Sequence, residues 1–252
     1  ITPDFVITHG APRVSPMAAR LVGSEILKIA ADVRAMIATG QKICNLTVGD
    51  FNSQYFPIPD FLLHEIEIAL TQGETNYPPS DGVLPLRQAV KDFYKRSLGL
   101  DYPIESFIIT GGARPVIYCT YAAIVAPGET VVYPVPSWNN NHYCNLIGAI
   151  GKPIISRPED AFLPTRASLE GQLKGARLLS LCSPLNPTGT AFTKEQLEGI
   201  CDLVLEENAS RGKDERPLFL LYDQVYWMLT FGSTKHFNPV TLRPEMAKYT
   251  IF

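Results

Sequence analysis

Up to Gly99 the chain repeats its apolar residues at helical spacing; beyond it, short apolar runs take over, separated by longer amphipathic stretches. Over 24–39, Ile26, Ile29, Ala30, Val33 and Ile37 fall on one face, and Gly40 follows where a helix would stop. The segment 43–59, with Gly49, Asp50, Asn52, Ser53 and two prolines, predicts an irregular loop of the kind that carries function. Two further amphipathic helices are expected over 59–73 and 84–99, the second with Leu86, Val90, Phe93 and Tyr94 on its apolar side.

The later runs 107–110, 130–133, 153–156, 178–182 and 218–222 predict strands, and 249–252 predicts another. Several are apolar throughout, as expected where helices cover both faces of a parallel sheet. Between them, Thr193 and Gln196 form a capping-box pattern ahead of Leu197, Ile200, Val204 and Leu205, which predicts a helix over 193–207. Strands alternating with helices give an α/β architecture with a largely parallel sheet, and such sheets bind ligands at the carboxyl ends of their strands.

Composition narrows the function. The chain has 252 residues, 46% of them apolar, enough for one large domain with a small partner. A net charge of −3 supplies no basic field for nucleic acid or an anionic membrane. The longest apolar runs, 121–126 and 218–222, fall far short of the roughly 20 residues that span a bilayer. Nothing resembling a signal segment opens the chain, and the first residue is Ile1, so the natural N-terminus is expected further upstream. Five scattered cysteines without a CxxC pair read as free thiols in a reducing, cytoplasmic setting. Four dispersed histidines without ligand spacing give no reason to expect a metal.

Four places just beyond apolar runs carry candidate chemistry. In Ile109-Thr110-Gly111-Gly112-Ala113-Arg114-Pro115, small residues before a helix would let backbone N–H groups approach a phosphate; a tight turn without ligand is the alternative. In Pro134-Val135-Pro136-Ser137-Trp138 the indole could stack on a flat heteroaromatic ring, or be a buried structural Trp. In Ser183-Pro184-Leu185-Asn186-Pro187-Thr188-Gly189 two prolines bracket Asn186 and fix its amide, more rigidity than an ordinary turn needs. In Tyr222-Asp223-Gln224-Val225-Tyr226 a carboxylate ends a buried strand, where a cationic ring nitrogen would justify it and Tyr226 could donate to a phenolate oxygen. There the alternatives are a helix cap or pairing with an Arg.

In this order, TGGARP, PSW, SPLNPTG and YDQVY resemble the class I/II aminotransferases that use pyridoxal 5'-phosphate, fold type I, aspartate aminotransferase-like. The upstream Tyr77-Pro78-Pro79-Ser80-Asp81-Gly82, with Leu86-Arg87, also matches, and the resemblance runs from about Arg20 to the end of the chain. It implies a large domain with a mostly parallel seven-stranded sheet flanked by helices, over 49–252 and incomplete at its C-terminus. Residues 1–48 would form an N-terminal arm and part of a small domain.

The resemblance also implies roles. Backbone amides at Gly112, Ala113 and Arg114 would hold the cofactor phosphate. Trp138 would stack on the ring and line the substrate site. Asn186 would bind the ring oxygen and the substrate carboxylate, Tyr226 the same oxygen, and Asp223 the ring nitrogen. Tyr77 would reach the phosphate of a neighbouring subunit, implying a homodimer with shared active sites, and Gly49 would lie beside the substrate carboxylate. The implied activity is transamination between an L-amino acid and a 2-oxo acid; a lyase or synthase of the same fold and a non-catalytic binding domain are the alternatives.

Three features depart from the family pattern. Its Schiff-base lysine has no counterpart here: Lys235 and Lys248 lack the Ser/Thr-rich context and read as surface lysines. That lysine is therefore expected a few residues beyond Phe252, with the arginines for the phosphate and the substrate carboxylate. The loop at Gly49 reads Gly49-Asp50-Phe51-Asn52-Ser53, a changed mouth to the site. Three positions after Trp138, where aspartate-specific relatives have His, stands Asn141, with His142 next.

Overall fold

The computed structural model describes residues 14–21, 25–47, 49 and 51–252. Ser24, where the first long helix is expected to open, and Asp50 lie outside them. The described residues fall into two compact units, 20–79 and a larger one of 80–252 with the residues before Arg20. The breaks do not coincide with a division at 48/49.

The first element among the described residues is a short turn of helix, α1 (Pro16–Ala19), which belongs to the larger unit: Asn145 donates to the Met17 carbonyl at 3.2 Å. The smaller unit holds α2 (Glu25–Ala38) and α3 (Asp60–Thr71). On the predicted face of α2, Ala30 is buried while Ile26, Ile29 and Ile37 are exposed.

The larger unit is built on a five-stranded, all-parallel sheet of β1 (Thr130–Val135), β2 (Ile150–Ile155), β3 (Leu178–Cys182), β4 (Phe219–Asp223) and β5 (Thr250–Ile251), in spatial order β2-β1-β3-β4-β5. Around it run α4 (Leu84–Leu98), α5 (Ala113–Ile124), α6 (Asn140–Ile147), α7 (Arg166–Leu169), α8 (Lys194–Ser210) and α9 (Pro239–Leu242).

Side-chain alternation along the central strands builds two apolar layers. Val132, Leu179, Leu181, Leu220 and Tyr222 pack with Leu197, Ile200, Cys201 and Val204 of α8. Val131, Tyr133, Leu178 and Leu221 face Tyr121 and Val125, at the end of α5, and Tyr143 and Cys144 of α6. Both faces are covered, which explains the unbroken apolar runs. Truncating the fully buried Ile200 to Ala would cost about 2–5 kcal/mol.

The expected capping box forms: the Thr193 hydroxyl accepts from the Gln196 amide at 3.2 Å, and the Gln196 side chain accepts from the Thr193 amide at 3.0 Å. Gly99 ends α4 in the left-handed region, as a glycine can without strain.

One expectation needs correction. The sheet is the helix-flanked parallel one expected, and the described residues supply five of the seven strands implied. The run 107–110 is not one of them: the Ile109 amide donates to the Asp81 carbonyl at 3.0 Å, and Ile108 is exposed. Its partner is the turn at Gly82 (φ +97°), where a Cβ would come within 2.7 Å of Ile109 Cβ. Close packing on a turn takes the place of a ladder.

From β1 the chain passes through α6 to β2 on one side, then returns to β3 on the other. The connections diverge between β1 and β3, and a crevice at the carboxyl ends of those strands is the expected binding place.

Candidate functional site

Three adjacent strands, β1, β3 and β4, end at this edge, each followed by one of the loops singled out in the sequence. β1 leads into Ser137 and Trp138, β3 into Asn186, and β4 ends on Asp223 with Tyr226 in the next turn. Parallel pairing brings Cys182 opposite Asp223, and the Ser183 amide donates to the Asp223 carbonyl at 3.0 Å. The peptide bonds preceding Pro136, Pro184 and Pro187 are cis. Across the loops, the Asn186 amide nitrogen donates to the Tyr226 hydroxyl at 3.4 Å.

Asp223 shares its strand face with Leu221, so it points to the side of the sheet covered by α5 and α6. Its carboxylate accepts the Val225 amide at 3.1 Å. This closes a local turn and is not the helix cap left open as an alternative, since no helix starts between Asp223 and Pro239. The other alternative does not occur: among the described residues, no Arg, Lys or His forms an ion pair with Asp223. Burial raises its pKa above the ordinary carboxylate value, against a lowering by the Val225 hydrogen bond. The neighbouring Cys182 thiol is pushed up to about 12, first by burial and then by the Asp223 charge. Such a carboxylate is electrostatically suited to receive a cation.

Gly112 stands immediately before α5 with φ +119° and ψ 172°, a conformation essentially confined to glycine. A Cβ there would meet nothing within 4 Å, so its outer side is open. The Thr110 hydroxyl donates to the Gly112 carbonyl at 2.6 Å and steadies the turn. Among the described residues no side chain caps α5, and its first turn holds no acidic residue, which leaves the positive end of the helix to an outside anion. Ala113 and Arg114 are its first two residues, both exposed. The Arg114 guanidinium carbon lies 5.7 Å from the centre of the Trp138 ring, so the two loops touch through a cation–π contact. Trp138 itself is half-buried.

Gly112, Ala113, Arg114, Trp138, Asn186, Asp223 and Tyr226 all belong to the larger unit, at the carboxyl-terminal edge of the sheet or at the α5 N-terminus. Gly49 and Tyr77 belong to the smaller unit, where both are exposed. Asn141 is exposed and His142 half-buried.

Sequence reasoning missed a buried polar group under the Trp138 loop, formed by Ser137, Asn140, Tyr121 and Ser180. Its signal was Ser180, the one polar residue inside the apolar run of β3. It also missed α6, whose Asn-rich start conceals the spacing of its buried Asn140, Tyr143 and Cys144. The buried Tyr143 phenol has its pKa raised, chiefly by burial and also by the Asp223 charge, against a lowering by Arg114.

No helix among the described residues is long and apolar enough to cross a membrane.

The aminotransferase class I and II family model matches residues 41–251. The chain is 28% identical over 235 residues to the aspartate aminotransferase of Bacillus sp. strain YM-2, and 27% identical over 236 residues to a probable aspartate/prephenate aminotransferase of Rhizobium leguminosarum bv. phaseoli. Each alignment covers 92% of this chain and 56% of the relative. Among solved structures, the aspartate aminotransferase of Thermus thermophilus with maleate superposes with a TM-score of 0.82 at 26% identity, covering 96% of this chain and 59% of that one. This chain thus spans somewhat over half the length of the relatives it matches. With the family's motifs at the ends of three adjacent strands and its model matched over most of the chain, this chain belongs to the class I and II aminotransferases.

Proposed function

We propose that the protein containing this chain is a pyridoxal-phosphate-dependent transaminase, moving an amino group between an L-amino acid and a 2-oxo acid. The observation that carries the reading is Asp223: a carboxylate at the end of a central strand, without a cation partner among the described residues and raised in pKa by burial, on the edge where Asn186 and Tyr226 meet.

The donor set fits this cofactor. Gly112, with an open outer side, and the uncapped start of α5 suit its phosphate, bound through the backbone N–H groups of Gly112, Ala113 and Arg114. Trp138 offers a flat face for the ring. Asp223 would hold the proton on the ring nitrogen, and Asn186 and Tyr226 would both address the ring oxygen. Bound there, pyridoxal phosphate supplies an electron sink for charge developing on the substrate α-carbon. The chain's own task is to set the charge at each end of that sink and to orient the ring.

Asn186 would also bind the substrate carboxylate. Tyr77, fully exposed, would extend to the phosphate of a second subunit in a cytoplasmic homodimer with shared sites. The lysine that links the cofactor is expected after Phe252. The aspartate in the names of the relatives above favours an acidic amino acid as donor.

The test is an amino-transfer assay on the full-length protein with added cofactor, pairing 2-oxoglutarate with a panel of L-amino acids. Formation of glutamate with stoichiometric 2-oxo acid from one donor is the expected result. Release of ammonia or carbon dioxide without transfer would replace the reading with a lyase.

A further inference from the structure

Beside the divergence point between β1 and β3, one buried side chain ties three pieces of the fold together. Asn140, the first residue of α6, is 8% exposed. Its Oδ1 accepts the Tyr121 hydroxyl at 2.7 Å and the Ser180 hydroxyl at 2.9 Å, and its Nδ2 donates to the Ser137 hydroxyl at 3.0 Å. Tyr121 lies on α5, Ser180 on β3, and Ser137 immediately precedes Trp138. The backbone is shaped for this. Asn139 takes the left-handed conformation (φ 58°, ψ 5°), which Asn tolerates better than most residues, and the chain turns there from Trp138 into α6.

We infer that Asn140 is a positioning residue for Trp138, fixing the indole against the cofactor ring by anchoring its loop to β3 and to the helix that begins at the phosphate turn. This rests on the functional reading above, in which the ring stacks on Trp138. The Asn140–Ser137 bond is, among the described residues, the one hydrogen bond that a side chain makes with 136–138. The other two bonds fix Asn140 itself, so the loop is held against a rigid post. Buried polar groups of this kind are costly when incompletely paired and define one geometry when satisfied. An apolar residue could fill the same space, but it would leave the loop free to shift and the Tyr121 and Ser180 hydroxyls unpaired.

The two roles, holding the fold and aiming the indole, separate experimentally. Ser137→Ala cuts only the link to the Trp138 loop; Ser180→Ala cuts only a link to the sheet. The full-length protein is examined by melting temperature, by the emission anisotropy of Trp138 without cofactor (the signal lost in Trp138→Phe), and by pyridoxal phosphate titration. Ser137→Ala should leave the melting temperature nearly unchanged, lower the Trp138 anisotropy, and weaken cofactor binding about fivefold, the scale of one lost hydrogen bond. Ser137→Thr, which keeps the hydroxyl, should restore both. Ser180→Ala should lower the melting temperature with a smaller effect on affinity.

Unchanged anisotropy and affinity in Ser137→Ala would overturn the inference and leave Asn140 a knot of the fold. If the wild type binds no pyridoxal phosphate, the functional reading fails; the anisotropy still decides whether Asn140 holds Trp138.

Discussion

The amide nitrogen of Asn186 lies 3.4 Å from the hydroxyl of Tyr226, forty residues further along the chain and one strand away in the sheet. Parallel pairing of β3 with β4 brings them together, because each sits in the loop immediately beyond its own strand. Two hydrogen-bonding groups converging from neighbouring strands can address one oxygen atom, which neither could enclose alone. Tyr226→Phe should weaken cofactor binding about fivefold, and Asn186→Ala by a similar factor. The double variant should fall short of the product of the two effects, because the groups share a target. Cofactor titration of the four proteins checks this.

Asp223 is expected to trade stability for binding. Its folded-state pKa is raised, so the fold binds the proton more tightly than the unfolded chain does. Stability of the cofactor-free protein is therefore greatest below the unfolded carboxylate pKa and declines as pH rises through the raised value. Asp223→Asn keeps an acceptor for the Val225 amide and removes the charge. The variant should melt a few degrees higher than wild type at neutral pH without cofactor, while losing transaminase activity by orders of magnitude. Calorimetry of the cofactor-free proteins, beside the transfer assay, measures both.

Gly112→Ala should act through the backbone. The site has space for a methyl group but not the conformation, since φ +119° with ψ 172° is essentially closed to alanine. A strain of about 1–3 kcal/mol should either destabilise the fold or turn the N–H groups of the loop away from the phosphate. Affinity for inorganic phosphate and for pyridoxal phosphate should fall together, whereas affinity for a phosphate-free pyridoxal should change little.

His236 predicts an acid limit to stability. Burial lowers its pKa to about 4, and its Nε2 meets the Gln224 side chain at 2.9 Å. The unfolded chain takes up the proton near pH 6.5, before the fold does. The stability from keeping this ring neutral is present above about pH 6.5 and is lost as pH falls toward about 4. In His236→Gln the melting temperature should decline less steeply over that window than in wild type.

The sequence made the sheet and the loops beyond its strand ends legible because both rest on local signals. Apolar runs marked all five strands, although β2 begins upstream of the predicted run, at Ile150. Loop chemistry singled out Asn186 and Asp223, at the ends of adjacent strands, and Gly112, at the start of α5. What stayed hidden depends on distant contacts. Ser180 is an ordinary small residue until the sheet brings it to Asn140, forty positions away. The run 107–110 has strand composition, and only the turn at Asp81 and Gly82, remote in sequence, determines that it packs without joining the ladder.

The most direct test of the central claim is the visible absorbance of the full-length protein with pyridoxal phosphate, followed through one cycle of added L-amino acid and then 2-oxo acid. A protein-bound cofactor band should disappear with the amino acid, return with the 2-oxo acid, and be weak or altered in Asp223→Asn. A wild-type protein without such a band, or one indistinguishable from Asp223→Asn, would contradict the claim.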